Sequence, residues 1–454
     1  MAFLVDLLGR CRALPHNLWH DLRAGVGPDD AAARRLRRSF VYHLHPLKVT
    51  ERALAPTVTL GLGLVSVALF LTLFATGLLL MLYYVPTPHD AYASMLDIEH
   101  AVTLGAFVRR LHRFAAHGMV AVVTLHLVRV LAQAAYRRRE LNWVIGLSLL
   151  ALLFALAFTG YLLPWDQTSY WAVRVVTNML DHVPAMGSAL QWLVVGGSSV
   201  GAATLVRFYA LHVAILPFAM LLLVALHLWR IRRDGGLATW QAELPTISAW
   251  PHLTLRVGLV MLAAITVTVL VALFLDAPLG PPADVLRPAN PEKAPWYFLG
   301  VQEMVSYSAV VGGVVFPAVA TLLLFLMPFL DREDDGIGMW LGGGPSRRSL
   351  TAHAMVTMVV LVAGSVTFMA PATIELLRPL PGWLRDLANP AFLSLIWAAF
   401  AFIALGRISG SPRSALRASL VALGLALILF TVIATLRGPD WTFYWPWQEW
   451  TRVR

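Results

Sequence analysis

Long apolar runs separated by short polar stretches dominate the chain. They predict helices over about 57–84, 103–131, 143–163, 205–230, 253–275, 308–330, 351–370, 391–406 and 418–436. The first of these holds no charge at all. Runs of about 20 apolar residues cross a bilayer core, so the pattern predicts an all-α, polytopic membrane protein with about nine spans. Basic clusters fall in alternate loops: Arg34, Arg35, Arg37 and Arg38; then Arg137, Arg138 and Arg139; then Arg230, Arg232 and Arg233; then Arg347 and Arg348; then Arg407, Arg413 and Arg417. The positive-inside rule then sets the N-terminus in the cytoplasm and, after nine spans, the C-terminus outside.

The same pattern divides the chain into an amphipathic cytoplasmic segment over 1–50, a four-helix unit over 51–232, a cytoplasmic linker over 233–252, a five-helix unit over 253–437, and an outer tail over 438–454. The tail carries Trp441, Trp445, Trp447 and Trp450, which suits the headgroup layer. Two outer loops, 164–204 and 276–303, are too long for simple connectors.

Composition sharpens the class. Of 454 residues, 58% are hydrophobic and 13% charged, about half the charge of a soluble domain, which excludes a soluble enzyme or a disordered chain. The net charge of +10 follows from the cytoplasmic arginines, so nucleic acid is not an expected partner. Cys11 is the only cysteine, which excludes an intrachain disulfide and a cysteine-held iron–sulfur cluster.

Chemistry enters with four histidines inside apolar helices, where an ionisable side chain is costly and marks function. His112 and His126 lie on the second span, His212 and His227 on the fourth. A separation of 14 stops about 40° short of four turns and one of 15 overshoots by about 60°. Each pair therefore lies on roughly one face, about 21–23 Å apart along the axis. Both spans run in the same direction, so His112 meets His212 near the outer end and His126 meets His227 near the inner end. Facing imidazoles in a bundle core make a bis-histidine haem site, and two such sites make an electron path. A single buried histidine is more often a hydrogen-bond partner of a neighbouring helix; two matched pairs are not explained that way. His117 is turned about 140° from His112 and reads as structural.

Gly63 and Gly77 on the first span, and Gly146 and Gly160 on the third, repeat the 14-residue spacing. They suit close approach of a large planar group, or small-residue helix packing. Arg109, Arg113, Arg129 and Arg207 flank the histidines as candidates for haem propionates or headgroups.

The stretches RRLHRFAAH (109–117), TLHLVRV (124–130), FTGYLLPWDQTSYWAVRVVT (158–177), TLVRFYALH (204–212) and HLWRIRRDGG (227–236) resemble cytochrome b of the quinol–cytochrome c (bc-type) oxidoreductases. The 15-residue gap from His212 to His227 resembles the chloroplast-type branch. The second half is similar to that branch's separate small subunit, fused here with additional helices. The resemblance implies two non-covalent b haems, on His112/His212 (low potential) and His126/His227 (high potential). It implies quinol oxidation at the outer face, one electron to a Rieske iron–sulfur protein and a c-type cytochrome, and the other through both haems to quinone at the inner face. It further implies proton translocation, a dimer within a larger complex, contact with membrane lipid, and a bacterial plasma membrane.

The outer site is then expected from 160–171, including Pro164 and Trp165, and from PEKAPWYFLGVQE (291–303) with Trp296 and Tyr297. The family's Pro-Glu-Trp-Tyr glutamate falls on Pro295, so Glu303 and Glu292 are the candidate proton acceptors, Glu303 preferred. This variant loop resembles bacterial members that often use menaquinol. Gly61 stands where the chloroplast-type branch has a haem-attaching cysteine, so no covalent haem is expected. Two other readings stay open: a di-haem anchor feeding quinol electrons to another reductase, and a haem-free transporter relaying protons through histidines.

Overall fold

The computed structural model describes residues 48–234, 245–288, 290–342, 344–369, 376 and 379–448. The expected amphipathic segment before residue 48, Cys11, linker residues 235–244 and Trp450 lie outside these. Among the described residues nine helices have the length and hydropathy of membrane spans. In chain order the helices are α1 (Leu62–Met81), α2 (Ala91–His100), α3 (Gly105–Ala132), α4 (Glu140–Leu162), α5 (Gln167–Leu180), α6 (Gly187–Val195) and α7 (Ala202–Arg233). They continue with α8 (Ala249–Phe274), α9 (Trp296–Tyr307), α10 (Val311–Leu330), α11 (Gly344–Met369), α12 (Gly382–Ala388), α13 (Pro390–Ser409) and α14 (Pro412–Thr435). The spans are α1, α3, α4, α7, α8, α10, α11, α13 and α14.

The ends differ from the apolar pattern for local reasons. The first span starts at Leu62 rather than 57 because Leu60 and Gly61 are left-handed (φ 53° and 64°), which interrupts a right-handed helix. The ninth starts at Pro412 rather than 418. Ser411 caps it by accepting from Ser414 N–H, and Pro412 opens its first turn, where proline's missing N–H costs nothing. Arg413 and Arg417, read in the sequence as loop charges, are buried in this helix. Among the described residues one small sheet joins the helices: β1 (Lys48–Thr50) pairs antiparallel with β2 (Thr246–Ser248). It ties the chain before α1 to the chain before α8.

α1 packs on α3, and α4 on α7, while α8 covers α1 and α3. A core of Leu69, Phe70, Ala115, Met119, Val120, Leu153 and Met220 fills the middle of this bundle. At the end expected to lie outside, the long loops fold together. Tyr92 Oη donates to Gly280 O (2.9 Å), Gln167 N to Pro281 O (2.8 Å), and Trp171 Nε1 to Asp284 O (3.0 Å). The two loops therefore form one cap over the bundle.

Candidate functional site

The structure brings His112 and His212 together, with ring centroids 6.2 Å apart and planes at 69°. Two metal–imidazole bonds of about 2 Å, plus the reach of each ring, need about this distance. Thr76 Oγ1 lies 2.9 Å from His112 Nδ1 and spends its own proton on Thr72 O (2.7 Å). It therefore accepts from Nδ1–H. His212 Nδ1 donates to Leu156 O (3.0 Å). Both bonds hold the proton on Nδ1 and leave the Nε2 lone pair free for a metal.

At the other level, His126 and His227 are close enough to interact electrostatically. His126 Nδ1 and His227 Nδ1 are buried without a partner of hydrogen-bonding geometry, although the Asn142 backbone lies beside His227. Among the described residues no three His, Cys, Asp or Glu side chains group as a bare ion would need. Two imidazoles per level fit instead a metal that brings its own in-plane ligands, which is the chemistry of haem.

The glycines explain how the rings fit. A Cβ on Gly77 would lie 3.4 Å from His112 Cε1, one on Gly63 3.7 Å from His126, one on Gly146 3.5 Å from His227, and one on Gly160 2.3 Å from His212. Each of the four thus backs one histidine. The unequal spacings also resolve: α7 contains a π turn over Leu211–Ile215. Such a turn inserts one residue into an α-helix, so the 15-residue separation places side chains much as 14 does on α3.

The arginines divide. Arg109 Nε pairs with Glu99 (2.6 Å), and its guanidinium also donates to Ala277 O. Arg113 donates to Pro278 O (2.9 Å) and Arg207 to Leu193 O (2.8 Å). These three brace the two long loops. Arg129 donates to Gln133 (3.2 Å) while its Nε is buried without a partner.

In the loop cap, Trp165 is buried and left-handed (φ 51°), and the preceding turn through Leu163 and Pro164 is pinned by Tyr84 Oη donating to Leu163 O (2.6 Å). Asp166 caps α5 by accepting from Ser169 N (2.8 Å) and also accepts from Gly280 N (2.9 Å). Glu292 lies beside this carboxylate. Burial first, then the Asp166 charge, pushes its carboxyl up to about 7, with Thr168 hydrogen-bonded in opposition. Glu292 Oε2 is buried and has no partner. Gln302 fixes this loop, donating to Glu292 O and accepting from Ala294 N (both 2.7 Å). Tyr161 lies within electrostatic reach of Glu292, Asp166 and Tyr297.

Glu303 sits elsewhere. It lies on α9, a separate helix ahead of the sixth span. It is fully buried and bound by Arg437 (2.5 Å), Tyr307 (2.7 Å) and Trp441 (2.9 Å). Trp296 Nε1 donates to His117 Nδ1 (3.1 Å), and the Tyr297 ring lies 6.0 Å from the same imidazole. Sequence reasoning set His117 aside because it faces away from the haem ligands. That rotation is what turns it toward α9.

The sequence model of the cytochrome b/b6/petB family matches residues 50–235, the segment that carries all four histidines and glycines. Cytochrome b6 of a Synechococcus elongatus strain is 42% identical over 175 residues, covering 38% of this chain and 81% of that protein. Cytochrome b6 of Mastigocladus laminosus is 39% identical over 190 residues, covering 41% and 88%. The chain belongs to the cytochrome b/b6 family. It is thus an integral membrane cytochrome b of electron transport, with the b-type haem binding of that family. A solved chain of a hyperthermophilic respiratory Complex III aligns with a TM-score of 0.61 and 25% identity, over 91% of this cytochrome b and 96% of that chain. The likeness thereby extends through both halves and supports a subunit of a bc-type oxidoreductase complex.

Proposed function

We propose that this cytochrome b is the quinol-oxidising subunit of a bacterial plasma-membrane bc-type complex. In this reading the loops around 164–201 and 276–295 face outward and the N-terminus inward. His112 and His212 hold one b haem, His126 and His227 a second, and Arg129, whose Nε is buried without a partner, offers that donor to an anionic substituent. Haem at these positions supplies one-electron carriage between the membrane faces.

The chain's own residues handle the proton. Quinol loses two electrons and two protons on oxidation, one proton passing to Glu292 and the other to water at the outer face. Glu292, with a carboxyl near pH 7, is ionised often enough to accept a quinol proton and weak enough an acid to release it. Its unpartnered Oε2 is the accepting atom. Pro164, Trp165, Trp296 and Tyr297 wall the site, and Asp166 keeps the Glu292 proton affinity high. Glu303 has its oxygens taken and serves another purpose. A Rieske iron–sulfur protein receives one electron and passes it to a c-type cytochrome. Quinone on the inner face receives the second, which makes turnover electrogenic. Menaquinol is the substrate that the variant 291–297 loop suggests, and a second copy of the chain completes the assembly.

The observation that carries this reading is the pair of imidazole levels, each ring backed by its own glycine. The test is quinol-driven reduction in the purified complex. Quinol should reduce cytochrome b and a soluble cytochrome c together, with a Rieske protein co-purifying, and Glu292→Gln should slow both. Reduction of cytochrome b with no Rieske partner and no cytochrome c reduction would instead mark a di-haem anchor for another reductase.

A further inference from the structure

The ninth span and the residues after it have no part in the proton and electron chemistry above, yet α14 is the most buried of the nine spans. Its faces explain why. A Cβ on Gly300 of α9 would lie 2.6 Å from Thr431 Oγ1 and 2.7 Å from Leu427 O, so α9 and α14 touch backbone to backbone.

Beyond α14 the chain folds into a compact turn. Gly438 N donates to Thr442 O (2.7 Å) and Tyr444 N to Leu436 O (2.8 Å). Asp440 and Trp441 are left-handed (φ 55° and 56°), a conformation that persists in non-glycine residues only where surrounding contacts hold it. Those contacts reach the 290–303 segment at both of its ends. Asn290 Nδ2 donates to Asp440 Oδ1 (2.7 Å), and Asp440 N donates back to Asn290 Oδ1 (2.6 Å). Lys293 Nζ donates to Thr435 O (3.0 Å). At the far end Arg437 clamps the buried Glu303 through Nη2 and Nε (2.5 and 3.1 Å), and Trp441 Nε1 adds a bond of 2.9 Å.

Asn290 and Lys293 flank Glu292, and Glu303 lies less than two turns beyond Tyr297 on α9. We propose that the ninth span and residues 435–441 are a positioning brace for the quinol loop, with Arg437–Glu303 and Asp440–Asn290 as its two fastenings. The inference rests on the reading of 290–303 as part of the outer quinol site. Arg437 acts through α9 and touches neither substrate nor haem. A misplacement of about 1 Å at a reacting group costs up to about a hundredfold in rate, so a loop that kept its Gln302, Thr168 and His117 bonds but lost these end fastenings would oxidise quinol poorly.

The test uses the intact complex with a short-tailed quinol analogue as the probe. Arg437→Met leaves the Glu303 carboxylate buried without its cation, so Glu303→Gln/Arg437→Met is made beside it to remove that stranded charge. Asp440→Ala tests the other fastening. The brace predicts that all three assemble with full haem content and unchanged haem midpoints. It predicts a quinol kcat/KM lowered roughly tenfold for the Arg437 variants, within the loss that a misplaced reacting group brings, and less for Asp440→Ala. Arg437→Lys should recover part of the loss. Wild-type kcat/KM in haem-replete Arg437 variants overturns the brace while the quinol site stands. Loss of haem from the double variant also overturns it, by making α14 a general support of the bundle. A wild-type complex that oxidises no quinol overturns the site and the brace together.

Discussion

Gly160 lies so close to His212 that a Cβ in its place would sit 2.3 Å from the imidazole Cε1. The ring has no slack to move away, because His212 Nδ1 is bonded to Leu156 O one turn below Gly160 on the same helix. Gly63 stands in the matching position to His126 but leaves 3.7 Å, ordinary van der Waals contact. Gly160→Ala should therefore displace His212 and leave one b haem per chain. Gly63→Ala should keep two, and counting haem against protein separates the cases.

Glu292 gives the pH dependence a sign. A proton acceptor works in its ionised form, and burial beside Asp166 raises this carboxyl to about 7. Quinol oxidation should rise as pH increases through about 7 and fall below it. Glu292→Gln should remove that inflection and slow oxidation by about a hundredfold or more. A matching loss in Glu303→Gln, with the Glu292 variant unaffected, would return the role to Glu303.

His117 accepts the Trp296 indole N–H and so joins the helix bearing His112 and His126 to the helix bearing Tyr297. His117→Gln keeps an acceptor and His117→Leu does not. A net hydrogen bond is worth about 0.5–1.5 kcal/mol. The leucine variant should raise the quinol KM by roughly two- to tenfold, and glutamine should restore most of it. Both should retain full haem.

At the end of the bundle opposite the loop cap Asp331 is fully buried and accepts from Arg413 Nε (2.7 Å) and Tyr136 Oη (2.6 Å). Arg417 donates to Leu131 O (3.0 Å) at the end of α3. Removing one member of a buried ion pair costs about 3–5 kcal/mol. Asp331→Ala should lower the thermal stability of the detergent-solubilised chain sharply, while exposed Asp276→Ala should leave it unchanged.

The spans were legible because bilayer-length apolar runs leave few alternatives, and the facing histidines because spacing and direction fix which side chains share a level. What stayed hidden were long-range pairings and local insertions. Nothing linear announces the π turn that reconciles 15 residues with 14. That Glu303 is bound by Arg437 could not be read, because the two lie 134 residues apart. Arg413 and Arg417 read as loop charges until their buried partners appeared. His117 read as structural, but its partner, Trp296, is 179 residues away and could not be named.

Haem counted by pyridine haemochrome, with a redox-titrated difference spectrum on the purified chain, tests the central claim most directly. Two non-covalent b haems per chain, titrating at separate potentials and each lost on replacing its own histidine pair, is the predicted result. A chain without haem, or with one haem insensitive to His126 and His227, would contradict the two-level assignment.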